Sequence, residues 1–384
     1  MALPPEHEAR MAPFRAYTVA HPYLREVDEI VTQYIYEPGG FAHVLVYGPT
    51  GVGKTTLVRR LAERFTAEGS GHQPGKTRQH PVIAIETPAP FTLTEWYINV
   101  LLALDERIIE ERYYRDVQVS STSSGRGRGA KAQEEAPALR RAVEEALARH
   151  GVRAILFDEA QHMVEKGTTP EIRLRWDWLK SLSNTTQVLH VLVGSYPLLS
   201  MRNISDQASR RGTNLHFPRY HAEQADERTA FLGAAKALLR HAWEAVAGQP
   251  PTERDLTSLL EEWSFLYERT LGCVGILKEW MIRVVSQALR TGETTLTPAQ
   301  IRKRALTAAQ CDTILKAIIA GEQQIDLEEE RRDHLQESLG LTNASAADGG
   351  GVPPASIPAS EAPAPKRRGG RPGTRKPKRD PVGE

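Results

Sequence analysis

Several features that would point to a function are scarce or missing. The 384 residues include two cysteines, Cys273 and Cys311, with no metal-ligand spacing. This excludes a disulfide framework and a cysteine-rich zinc site, and it fits a reducing compartment. Charge of one sign is also missing. Lys and Arg total 49 against 48 Asp and Glu, a formal net charge of +1. A global field that holds nucleic acid is thereby excluded, and any such contact must come from local basic patches. No apolar stretch approaches the roughly 20 residues of a membrane span. The start, "MALPPEHEARMAPFRAYTV", has no apolar run of signal-peptide length. The expectation is a cytoplasmic protein with no membrane partner, long enough for more than one packed unit.

Against these absences stand five short apolar runs that read as strands. They are "AHVLVY" (Ala42–Tyr47), "PVIAIE" (Pro81–Glu86), "VRAILFD" (Val152–Asp158), "VLHVLVG" (Val188–Gly194) and "NLHFPRY" (Asn214–Tyr220). The first four are nearly continuous, as expected of parallel strands covered on both faces. Helical patterns lie between them. One opens at Thr92 with the capping-box spacing "TLTE", and another, "ALRRAVEEALARH", leads into the third strand. Alternating strand and helix predicts an α/β fold with an open, mostly parallel sheet between helical layers.

The expected organisation is an N-terminal extension over 1–20, an α/β domain over 21–220 and a small α-helical lid domain over 221–320. An acidic helical segment over 321–341 and a disordered linker and tail over 342–384 follow. After Tyr220 the strand signal stops and helical periodicity takes over, with Thr297 as an expected N-cap ahead of Pro298. Inside the α/β domain, "VQVSSTSSGRGRGAKAQEE" (117–135) is expected to be a mobile basic loop.

The chemistry begins at "YGPTGVGKTTLV". Gly48, Pro49, Thr50, Gly51, Val52, Gly53, Lys54 and Thr55 fit the phosphate-loop pattern G-x-x-x-x-G-K-[ST], and Thr56 follows in the same turn. Glycines let successive backbone N–H groups turn inward on an anion, and the next helix adds its N-terminal dipole. In such a loop Lys54 would reach the β- and γ-phosphates, and the Thr55 hydroxyl would hold Mg2+. A strand before the motif and a helix after it supply the required context. The second half comes from "AILFDEAQH". Asp158, at a strand end, would serve the magnesium, and Glu159 would orient or activate water. A Glu there implies hydrolysis as well as binding. No N-K-x-D guanine-reading sequence follows, which favours ATP over GTP.

Ser195, ending the fourth strand in "VLVGSYPLLSMRN", can sense the γ-phosphate from between the two motifs. Arg210 and Arg211 precede the fifth strand, where in an oligomer either can enter a neighbour's site and neutralise γ-phosphoryl charge. Arg202 and Arg219 are weaker candidates.

With these motifs in hand, the chain resembles AAA+ ATPases with a P-loop NTPase fold. More narrowly, it resembles transposon-encoded regulators of the TnsC, TniB and MuB type. The segments that carry the resemblance are "YGPTGVGKTTLV", "ILFDEAQH", "VLVGSYPLLSMRNISDQASRR", "LHFPRYH" and the ending "GTRKPKRDPVG". It implies that ATP-bound subunits form rings or filaments around double-stranded DNA, mark a target site and recruit transposase subunits. Hydrolysis then dissolves the assembly. It also implies a bacterial cytoplasmic location, on the nucleoid when DNA is bound. A target-selection factor would act upstream, with a CRISPR effector among the options. Residue by residue, Lys54 and Thr55 bind phosphate and magnesium, Asp158 and Glu159 serve hydrolysis, Ser195 is the first sensor, and Arg210 or Arg211 is the finger. Many AAA+ lids place an Arg after a small residue at their third helix. Here "LGCVGILKEW" has none, and Lys278 is the nearest substitute. Two other functions compete: a replication-initiator or loader ATPase, and a nucleotide-switch scaffold without DNA.

DNA contacts would come from Arg126, Arg128 and Lys131 in the 117–135 loop, where phosphates are neutralised without reading bases. The alternative is a solubilising loop. The tail carries Lys366, Arg367, Arg368, Arg371, Arg375, Lys376, Lys378 and Arg379. It would dock a partner subunit, enter an A·T-rich minor groove, or remain a solvated end. Trp176 and Trp178 are read as helix-packing residues.

Overall fold

Four of the apolar runs form strands, each trimmed at its start: β1 His43–Tyr47, β2 Val82–Glu86, β3 Ala154–Asp158 and β4 Leu189–Gly194. The computed structural model describes residues 4–69, 79–104, 128–204 and 211–339. The fifth strand is displaced from its expected span and runs Gly212–His216 (β5). Pro218 explains the shift, because it has no N–H for the ladder. The last backbone bond to β1 is donated by Phe217 N to Tyr47 O at 2.8 Å. The order is β2-β3-β4-β1-β5, and every pairing is parallel.

Because side chains alternate along a strand, the two faces of the sheet build two cores. Leu45, Ile155, Phe157 and Leu192 meet helices α4 (Leu93–Ala103), α5 (Arg128–Arg149) and α6 (Thr169–Thr186). Val44, Val46, Leu156 and Val191 meet α2 (Pro22–Tyr36) and α3 (Lys54–Gly69). Thr92 caps α4 as expected, accepting from Glu95 N at 3.3 Å. Trp176 and Trp178 are both buried in the first core, and the Trp178 indole N–H donates to Tyr97 Oη at 2.6 Å. They are packing residues.

The expected 117–135 loop is corrected in part: α5 begins at Arg128, so 128–135 is helical. Alanines and glutamates across that stretch favour helix despite its glycine. Residues 117–127, including Arg126, lie outside the described residues, and for Arg128 and Lys131 only the backbone is described.

After β5 come α7 (Ala225–Ala247), α8 (Glu253–Leu260), α9 (Trp263–Thr270), α10 (Val274–Thr291) and α11 (Pro298–Lys303). They share a separate core around Leu238, Trp280 and Val284. Thr297 and Gln300 form a full capping box at α11, with Pro298 in its first turn. The N-terminal helix α1 (Pro5–Ala16) contributes Met11 and Phe14 to this helical core. Helix α12 (Ala308–Ser338) takes in most of the acidic segment. Contacts group Met1–Asp326 into one unit and Leu327–Glu384 into another, the latter described only through the end of α12 and Leu339. The tail residues lie outside the described residues. Among the described residues, no helix is long and apolar enough to cross a membrane.

Three histidines tie stability to pH. His190 in β4 is fully buried, with neither ring nitrogen hydrogen-bonded among the described residues, and burial pushes its pKa down to about 3. Burial lowers His21 and His216 to about 4. All three are neutral when folded, whereas the unfolded chain takes up their protons below about pH 6.5. Their contribution is therefore constant above that pH and is lost as pH falls toward 4 and then 3. At pH 5, His190 alone should cost about 2 kcal/mol. Denaturant midpoints at pH 7.5 and 5 should fall further apart for the natural chain than for His190→Leu. Equal falls would refute this account.

Candidate nucleotide site

The site forms where β1 ends and α3 begins. Gly51 has φ +83°, and a Cβ there would lie 2.4 Å from Ile276 Cγ1. The first turn of α10 rests directly on the loop: Gly275 N donates to Gly51 O at 2.6 Å. Lys54 Nζ donates to Gly48 O at 3.0 Å and Pro49 O at 2.8 Å. The buried His21 ring hydrogen-bonds to the Val52 carbonyl, while its Nδ1 lies 2.9 Å from the Tyr220 hydroxyl. Four carbonyls of the loop are thus engaged by protein donors. In a planar trans peptide, N–H points opposite to C=O, so the N–H groups of Thr50, Val52 and Gly53 turn the other way. This is the arrangement that cradles an anion.

The two expected magnesium ligands are brought together, with the Thr55 hydroxyl hydrogen-bonded to the Asp158 carboxylate. A hydroxyl and a carboxylate are hard oxygen donors and fit Mg2+. Burial raises the Asp158 pKa, opposed first by the Thr55 bond and the Glu159 N–H, which donates to Oδ1 at 3.0 Å. Lys54 is lowered by burial and held up by the charges of Glu159 and Asp158.

Glu159 has a left-handed backbone, φ 51° and ψ 37°, which turns the chain from β3 into the short 3-10 turn Ala160–Met163. This brings in Gln161, which the sequence analysis did not single out. Its amide N–H donates to Glu159 Oε2, and its Oε1 accepts from Ser195 N at 3.0 Å. The only sequence signal was its place two residues after Glu159. The His21–Tyr220 pair was also missed, being separated by most of the α/β domain.

A cleft of about 360 Å³ runs from this loop past Glu159 and Ser195 to Tyr17, Val19, Leu238, Val274 and Lys278. Lys278 lines the cleft but is engaged there: its ammonium donates to Phe14 O and lies 3.9 Å from the centre of the Phe14 ring. Burial lowers its pKa to about 8.

The arginines divide. Arg211 is exposed beside β5 and donates to Asn184 Oδ1 at 2.7 Å. Arg219 is tied within its own chain by a two-point ion pair with Glu322, at 2.9 and 3.2 Å. Arg210 lies outside the described residues, as does the side chain of Arg202.

The five-stranded parallel sheet, phosphate loop and helical C-terminal part make an AAA+ P-loop fold. Residues 40–201 match the family described as an AAA domain. Solved structures with a similar chain path include the Walker-type ATPase PABY2304 of Pyrococcus abyssi, at 17% identity and TM-score 0.44, over 80% of this chain and 75% of that one. The ADP form of the Aeropyrum pernix ORC2 protein matches at 17% and 0.46, over 77% and 71%. Domain III of Thermotoga maritima DnaA matches at 14% and 0.42, over 79% and 97%. No curated protein matches the chain.

Proposed function

We propose that this ATPase, loaded with ATP and Mg2+, assembles with copies of itself on double-stranded DNA, marks a target site for transposition and recruits transposase subunits. Hydrolysis then dissolves the assembly. Lys54 and the loop amides hold the phosphates. Thr55 and Asp158 hold the magnesium, which neutralises phosphate charge when bound, and Glu159 orients the attacking water. The finer assignment to transposition is supported by the resemblance of the "GSYPLL", "SRR" and "HFPRY" segments to regulators of the TnsC type.

The observation that carries self-assembly is the position of Arg211. Gly212 pairs with His43 at the start of β1, whereas the phosphate loop follows Tyr47 at its end. Arg211 therefore sits about 17 Å from its own loop, at ~3.3 Å per strand residue. An exposed Arg there is too far from its own nucleotide to serve it, which supports a role in the site of a neighbouring copy. Arg211→Ala and Lys54→Ala should each lose DNA-stimulated ATPase, and a mixture should regain part of it. A junction in which the Lys54→Ala copy supplies the finger to the loop of the Arg211→Ala copy then pairs a sound loop with a sound finger. No regain would remove Arg211 from the trans role. Electron microscopy with duplex DNA and an ATP analogue should show rings or filaments, and isolated single chains would refute assembly.

A further inference from the structure

Gln161 is buried between two groups of the hydrolytic centre, and its amide has one workable orientation. Ser195 N can only donate, so the atom that meets it at 3.0 Å is the carbonyl Oε1. The NH2 group is then turned to Glu159, where it donates to Oε2. The space around the amide is closed. A Cβ on Gly194 would lie 2.6 Å from Gln161 Oε1, so the end of β4 leaves the amide no room to swing. The left-handed backbone of Glu159 sets the turn that brings Gln161 back toward Glu159's own carboxylate. A flexible Glu side chain is thus held at one oxygen by a donor that is itself fixed by the next strand.

We propose that Gln161 is the positioning residue for hydrolysis: it holds the Glu159 carboxylate in register and fixes that position to the main chain of Ser195. A Glu free to rotate spends little time aligned on water, and misplacement near the reacting atoms lowers the rate without weakening nucleotide binding. Glu159 and Ser195 line the cleft beside the phosphate loop, and Gln161 sits behind them. Its effect should therefore appear in turnover and be absent from affinity. The inference rests on Glu159 being the carboxylate that acts on water.

The test uses the full chain with ATP, comparing Gln161→Leu with Gln161→Glu. Leu removes both hydrogen bonds. Glu keeps the acceptor for Ser195 N but sets one carboxylate against another. Both should lower single-turnover hydrolysis by about tenfold, the scale of one lost positioning bond, while ATP affinity stays within about twofold. On a Glu159→Gln background, Gln161→Leu should cause no further loss, because the two residues act as a unit. Gly194→Ala, which crowds the amide, gives a second variant should Gln161→Leu fold poorly, and it should also slow turnover. A natural rate in Gln161→Glu would overturn the proposal, as would affinity falling in parallel with rate, or additive losses in the double variant. Natural turnover in Glu159→Gln alone would instead overturn the assignment of Glu159.

Discussion

Replacing Glu159 by Gln is expected to cut ATP turnover by about 100- to 1000-fold, the range lost with a general base, while ATP binding is retained. The substitution keeps the shape of the side chain and its place beside Gln161, and it removes the charge that draws a proton from water. If hydrolysis is what dissolves the DNA-bound assembly, the variant should accumulate on duplex DNA with ATP as the natural chain does only with a non-hydrolysable analogue. Steady-state phosphate release and sedimentation with DNA check both halves. Ordinary turnover in the purified variant would take Glu159 out of its assigned role, and fast turnover with slow release would separate hydrolysis from disassembly.

Lys54→Ala is expected to weaken ATP affinity by about 100-fold, since a buried cation makes charge-assisted bonds worth ~1.5–3 kcal/mol with each partner. The structure gives a second reason. Lys54 Nζ also binds the carbonyls of Gly48 and Pro49, so its loss releases the first half of the loop. Titration of ADP and ATP should show both nucleotides affected, with ATP affected more. A variant that binds ATP as before would mean that the loop amides suffice.

The parts of this site that could be read from the chain are those whose chemistry is local. The phosphate loop and Asp158–Glu159 are short segments whose spacing alone fixes their geometry. The first four strands were legible because apolar residues on both faces leave a nearly unbroken apolar run. Strand β5 was misplaced because it is partly exposed and carries polar Thr213 and Asn214 before the apolar residues that drew attention. The start of α5 was hidden by a stretch whose apolar face emerges only near Leu139 and Val143. Gln161 was illegible for a different reason. Its role exists only because β4 lies beside β3 and a left-handed residue turns the chain back between them. His21 and Tyr220 likewise meet only through the fold.

The seat of Gly275 on Gly51 has a mechanical consequence. A methyl group added to Gly275 would lie 2.4 Å from the Gly51 oxygen, so the two backbones are in contact with nothing compressible between them. A tilt of the helical half cannot be absorbed by side chains and must displace the loop itself. The joint is a main-chain hinge point: the start of α10 and the phosphate loop have no side chain between them to take up a shift of either one.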